Sequence, residues 1–228
     1  MARAPRRPAN RVATLLIDLG GVVVHDPRPF VVDRLVGGRS AEKPRMQEEY
    51  YRLSRALDRG SLDLRAVHRH LRRRFPWVAD YSTFRRLVCD RSLRPIPPVL
   101  RALRRLKRDG RVRVVLASNV SRPVWRGLEK KWRLSAASDA AVLSFRLGSL
   151  KPSATFLRAM LVAARAPRGS VLFLDDTPAN VEAARKAGVP TYRVANARET
   201  MRVLRGLIRS PPATRPIRRS HDRHAKAS

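Results

Sequence analysis

Three carboxylates stand where apolar runs end. Asp18 follows Thr14-Leu15-Leu16-Ile17, and Asp175-Asp176 follow Val171-Leu172-Phe173-Leu174. A buried strand has no cheap place for an isolated charge, so either Asp18 marks a strand end opening onto something or its run is not a strand. Asp is also a common turn residue, which accounts for one such acid more easily than for an adjacent pair. Between residues 99 and 208 only seven acids occur, and two of them are this pair. Neighbouring carboxylates repel unless a cation or a proton lies between them. A hard divalent ion with oxygen ligands, such as Mg²⁺, resolves the repulsion, with Asp18 supplying one oxygen and the pair another. Two further segments add chemistry. Ala117-Ser118-Asn119 ends another apolar run with a hydroxyl and backbone N–H groups, and Lys151-Pro152 offers a fixed positive charge. Hydroxyl, ammonium, carboxylates and metal together suit a phosphoryl group, whose oxygens the cations neutralise while a carboxylate attacks.

The elements that must position these groups follow from the spacing of apolar residues. Residues 13–18 read as a short strand buried on both faces, as in a parallel sheet. Gly20 and Gly21 then allow a tight turn. From about 28 to 95 strand-like runs vanish and helical spacing takes over. Leu64, Val67, Leu71 and Phe75 form one apolar stripe on a basic helix. His68 and His70 on that helix are expected to be exposed, and the inner face of this module to be cationic. After Pro95-Ile96-Pro97-Pro98 the pattern alternates: helix to Gly110, strand 111–119, strand 140–145, helix 153–166, strand 171–176, helix 177–188 and strand 191–194. Helices alternating with strands imply right-handed crossovers and a mostly parallel five-stranded sheet. The fold class is therefore α/β, a Rossmann-like three-layer core at 12–27 and 96–208. A cap of about four helices is inserted at 28–95. Disordered basic tails are expected at 1–11 and 209–228.

The 228 residues carry 50 Lys+Arg against 18 Asp+Glu, a net charge of +32. The tails do not account for it, since 1–11 holds four Arg and 209–228 six bases and one acid. Such a surface attracts polyanions without any specific site, so non-specific nucleic-acid binding is open. Arg outnumbers Lys 43 to 7, which fits compositional drift better than a dedicated nucleic-acid surface. Cys89 is the single cysteine, so no intramolecular disulfide forms, which suits a reducing cytoplasm. Asp18 interrupts the apolar stretch that follows the Arg-rich start, against an export signal. No apolar run is long enough to span a membrane. The chain reads as cytoplasmic and soluble.

Four segments in order resemble the haloacid-dehalogenase superfamily: LLIDLGGVVV, VVLASN, GSLKP and VLFLDDTPANVEAARKAG. The resemblance runs from about 12 to 200. It implies phosphate-ester hydrolysis through an aspartyl-phosphate, on a small phosphorylated metabolite. It makes Asp18 the nucleophile and Lys151 the catalytic cation. Ser118, Asn119 and Lys151 become the phosphate binders. Asp18, the Gly20 carbonyl, Asp175 and Asp176 become the Mg²⁺ ligands, and Asn180 an orienting residue.

One departure stands out. Phosphatases of the superfamily usually carry a second Asp two residues after the nucleophile, as general acid, and here that position is Gly20. General acid catalysis is worth about 10²–10⁴ in rate. A DLG-type subgroup resembling this stretch retains phosphatase activity. His25 and Asp26, at the hinge into the cap, are substitutes for the missing acid, against plain solvated hinge residues. The alternative function is a weak or silent relative that binds a phosphorylated ligand or nucleic acid. Phosphate transfer to a sugar ranks last, because it needs the proton shuttle that Gly20 lacks.

Overall fold

The computed structural model describes residues 12–209. The expected tails lie outside them, except Arg209, which ends the last helix. The chain begins with β1 (Thr14–Ile17) and at once leaves the sheet for the cap. The cap is built from α1 (Pro27–Val36), α2 (Lys43–Arg59), α3 (Leu64–Arg74) and α4 (Tyr81–Arg86), closed by a π-helical turn at Leu87–Arg91. The return runs α5 (Pro97–Asp109), β2 (Arg113–Ser118), α6 (Arg122–Trp132), β3 (Ala140–Leu143) and α7 (Ser144–Leu147). It continues with α8 (Ala154–Ala164), β4 (Val171–Asp175), α9 (Pro178–Lys186), β5 (Thr191–Arg193) and α10 (Ala197–Arg209).

The five strands are all parallel, in the order β3-β2-β1-β4-β5. Side-chain alternation splits the strands between two apolar layers. Leu15, Ile17, Leu116 and Leu174 join one cluster, which includes Leu103 of α5 and Leu204 of α10. Leu16, Val115 and Phe173 join the other, with Phe156 of α8 and Ala184 of α9. Both faces of β1 are thus covered, which is why its four residues are apolar or, like Thr14, hydrogen-bonded to a helix carbonyl. The register Ile17↔Leu116 and Ile17↔Leu174 carries Asp18, Ala117 and Asp175, each one residue further, to the same sheet edge.

The cap has an apolar cluster of its own, from Val31 to Cys89. Its two crossings lie side by side: His25 N–H donates to Arg94 O and Ile96 N–H to Val23 O. The π-helical turn rests on α6. A β-carbon on Gly127 would meet the Cys89 carbonyl oxygen at 2.2 Å, so only glycine permits that approach. Lys131 Nζ then reaches Asp90 O at 2.9 Å.

Some sequence expectations differ from the structure. Helices α6 and α10 have no counterpart in the sequence reading, because their stripes (Trp125 and Leu128; Thr200, Leu204 and Leu207) are short and set among arginines. The strand expected at 140–145 ends at Leu143, where Ser144 turns into α7. His68 is buried rather than exposed. It shares the stripe of Leu64, Val67 and Leu71, its Nε2 lies 2.8 Å from Ala79 O, and its ring packs on Tyr81 and Phe84. His70 does face outward, paired with Glu49.

Candidate active site

Asp18 leaves β1 with its backbone still held, its N–H donating to Leu174 O at 3.0 Å. Its carboxylate is buried, and Oδ1 accepts from Leu19 N–H at 2.7 Å. Lys151, also buried, sends Nζ to within 2.9 Å of Asp18 Oδ1 and 2.6 Å of Asp175 Oδ2. The lysine thus ties the ends of two adjacent strands. Asn119 fixes it from below: Lys151 N–H donates to Asn119 Oδ1 at 2.7 Å, and Asn119 Nδ2 donates to Lys151 O at 3.1 Å. The Asn119 amide is therefore committed to the backbone of Lys151.

Asp175 is similarly committed. It accepts from Lys151 Nζ, from Thr177 N–H at 2.9 Å and from Asn180 Nδ2 at 3.0 and 3.1 Å. Asn180, on α9, thus holds Asp175 directly and Lys151 only through it. Asp176 accepts one hydrogen bond, from Thr177 Oγ1 at 3.1 Å, and is half-exposed. Oxygens of Asp18, Asp175 and Asp176 lie within 4.8 Å of one another. Three carboxylates against one ammonium leave an excess of negative charge in a poorly solvated place. A hard divalent cation fits that donor set, with Asp18 and Asp176 offering the freest lone pairs.

The titration behaviour agrees. Burial raises the Asp18 carboxyl above the ordinary carboxylate range; Lys151 opposes this, while Asp175 and Asp176 add to it. Burial also raises Asp176, with Asp175 as the next cause. Burial alone would lower Lys151, but Asp18 and Asp175 outweigh it and raise the ammonium. Lys151 is therefore a permanent cation.

The turn after Asp18 is shaped around Asp176. Gly21 has φ +76°, and a β-carbon there would stand 2.2 Å from Asp176 Oδ2. Gly20 is the opposite case, with nothing within 4 Å of an added β-carbon. It lines the cavity beside Asp18, so the fold leaves room for a side chain that the sequence does not supply.

The site opens into a cavity of about 330 Å³ between core and cap. The core contributes Asp18, Ser118 and Ser121 to its walls, and the cap contributes Tyr50, Ser54 and Asp58. The sequence reading missed four of these: Ser121, Tyr50, Ser54 and Asp58. Ser121 has a buried hydroxyl with no partner among the described residues. Tyr50, Ser54, Leu57 and Asp58 recur at four and three along α2, a core-facing stripe with polar residues in it, which was the available signal. Burial raises Asp58 to about 7, against the opposing pull of Arg28, while Asp26 and Asp18 add to the rise and Arg55 opposes it. Its backbone is pinned to the core, since Ser144 Oγ lies 2.6 Å from Asp58 O and also accepts from Val120 N–H.

Of the hinge residues, Asp26 caps α1 and receives Arg28 on both carboxylate oxygens. His25 is exposed at the cavity rim. The inner cap face, expected to be cationic, is mixed: Arg28 and Arg55 meet Asp26 and Asp58.

A parallel sheet with an inserted helical cap, and acids gathered at the carboxyl ends of β1 and β4, define a capped α/β hydrolase-like class. The family model described as haloacid dehalogenase-like hydrolase matches residues 12–188, and the chain belongs to that family. Among curated proteins no sequence matches it. A haloacid dehalogenase (HAD) family enzyme from Bacteroides thetaiotaomicron is similar at 19% identity and TM-score 0.67, covering 81% of this chain and 94% of its own. That enzyme has also been solved in complex with magnesium and inorganic phosphate. A HAD-like hydrolase structure from Porphyromonas gingivalis is similar at 20% identity and TM-score 0.68, over 89% and 100% of the two chains. The L-2-haloacid dehalogenase of Xanthobacter autotrophicus is similar at 16% identity and TM-score 0.59, over 81% and 78%. These likenesses establish the fold. No helix among the described residues is long and apolar enough to cross a membrane.

Proposed function

We propose that the chain is a Mg²⁺-dependent phosphatase acting on a small phosphorylated metabolite through an aspartyl-phosphate, in the cytoplasm. The observation that carries this reading is the buried Lys151 bridging Asp18 and Asp175, with Asp176 alongside, at the floor of the cap–core cavity. The similar Bacteroides enzyme, solved with magnesium and inorganic phosphate, supports it.

Asp18 attacks phosphorus, a new O–P bond forms, and the bond to the leaving oxygen breaks. Lys151 keeps Asp18 ionised despite its burial and faces the charge growing on the phosphoryl oxygens. Ser118 and the unpartnered Ser121 hydroxyl bind those oxygens. Asp18 and Asp176 would hold Mg²⁺, with the Gly20 carbonyl and Asp175 at its margin. The ion supplies charge neutralisation and alignment when bound. Asp58 gives its proton to the departing oxygen, then accepts one from the water that hydrolyses the acyl-phosphate. A carboxyl poised at about 7 suits both tasks.

The alternative, a weak or silent relative that binds a phosphorylated ligand or nucleic acid, draws on Gly20 and on the net charge of +32. Hydrolysis of an aryl phosphate, with and without Mg²⁺, in the parent and in Asp18→Asn, separates the two. Such a leaving group needs little protonation, so Gly20 hardly matters. We expect Mg²⁺-dependent turnover that Asp18→Asn lowers by at least about 10³-fold. Equal turnover in both proteins, or none in the parent, overturns the reading.

A further inference from the structure

The cap carries a second cavity, of about 610 Å³, that shares no lining residue with the catalytic one. Helix α1 and the π-helical turn separate the two. They present Arg28 and Val88 to the catalytic cavity, and Phe30, Arg34 and Arg91 to the second. Arg39, Arg86 and Arg94 complete a set of five arginines there, and no lining residue is acidic.

None of these five guanidinium groups makes an ion pair among the described residues. The acids nearest in sequence are engaged elsewhere: Asp33 with Lys43 at 2.7 Å, Asp90 with Lys131 at 3.4 Å, and Asp80 with the first turn of α4. Aromatic rings hold three of the arginines in place. Arg94 and Arg34 lie over Phe30, 4.4 and 5.3 Å from its centroid, and Arg39 lies 5.2 Å from that of Trp77. A guanidinium lying on a ring keeps its N–H edge available for an oxyanion, which an arginine collapsed onto a carboxylate does not. Trp77 also lines this cavity, and its buried indole N–H has no acceptor among the described residues.

Like charges gathered without counter-charge repel, and compositional drift gives no reason for them to converge on one concavity free of acids. The volume is that of a small-ligand site. We infer that this cavity binds a small anion carrying two or more phosphate groups, at a site separate from the Asp18 centre. The shared wall of α1 and the π-helical turn makes it a position from which a ligand can steady the cap.

The test is calorimetric titration with tripolyphosphate, and separately with ATP, in EDTA and about 150 mM salt. The proteins are the parent, the triple variant Arg34→Gln/Arg39→Gln/Arg94→Gln, and a control triple Arg101→Gln/Arg105→Gln/Arg108→Gln on the exposed face of α5. The inference expects at least about tenfold weaker binding in the cavity variant only, a difference of about 1.4 kcal/mol. Aryl-phosphate turnover should stay within about twofold of the parent. Trp77 fluorescence should shift on binding, and Trp77→Phe should remove that shift. Equal affinities across the three proteins mean net charge alone and overturn the inference. So does binding that only Ser118→Ala weakens, which would assign it to the catalytic cavity. Loss of duplex-DNA binding in the cavity variant, with no tripolyphosphate binding in the parent, also overturns it, in favour of a macromolecular surface. All these readouts stand whether or not Asp18 proves to be a nucleophile.

Discussion

Lys151 Nζ lies 2.6 Å from Asp175 Oδ2, and both side chains are buried. The pair fastens the loop before α8 to the end of β4 and sets the ammonium over Asp18. Removing one partner of a buried ion pair leaves an uncompensated charge and typically costs about 3–5 kcal/mol. Lys151→Gln should therefore lower both stability and turnover, the latter by at least about 10²-fold. Denaturant unfolding checks the first and single-substrate kinetics the second. Unchanged unfolding would mean the three acids are balanced by something else.

The two glycines after Asp18 make opposite predictions. Gly21→Ala sets a methyl against Asp176 Oδ2 in a left-handed backbone, so the carboxylate must move. The Mg²⁺ concentration for half-maximal activity should rise about tenfold or more. Gly20→Ala meets open space and should leave that value within about twofold. Gly20→Asp should accelerate alkyl phosphates more than aryl ones, because only the former need a proton on leaving. Equal gains on both would argue that no acid is missing.

Asn119 and Asn180 touch Lys151 and Asp175 rather than the cavity centre. Asn119→Ala frees the backbone that carries Lys151, and a displacement of about 1 Å at a reacting group can cost about 10²-fold. The loss should fall on kcat with KM nearly kept. A KM rise at constant kcat would make Asn119 a substrate contact instead.

Asp58 yields a pH-dependent prediction. Its folded pKa is raised, so the native state holds a proton that the unfolded chain gives up at lower pH. The stability tied to that proton is present below about 4 and is lost as pH climbs through about 7. Asp58→Asn should therefore be close to neutral for stability below about pH 4. At pH 8, where Asp58 is an ionised group facing Asp18 and Asp26, it should be stabilising by about 1–2 kcal/mol, a few degrees in Tm. The same variant should slow alkyl-phosphate turnover more than aryl and flatten the alkaline limb of its pH profile. Equal melting shifts at both pH values would remove Asp58 from the acid role.

Much of this was legible in the chain. Asp18, Ser118 and the Asp175-Asp176 pair stand at strand ends, and strand ends are visible because apolar runs of four or five residues stop abruptly at polar ones; Lys151 stands before Pro152 at the start of a helical pattern. Parallel pairing follows from helices lying between strands. These are local consequences of periodicity, which requires no knowledge of what packs where. The tertiary structure decided everything that depends on a partner distant in sequence. It committed Asn119 to the Lys151 backbone 32 residues away and filled Asp175 with donors. It turned Asp58 of the cap toward the core and gathered five arginines round one cavity of the cap. Helix periodicity says which residues share a face; only the packing of one element on another says what that face meets, and a carboxylate's charge and a guanidinium's freedom are set by that meeting.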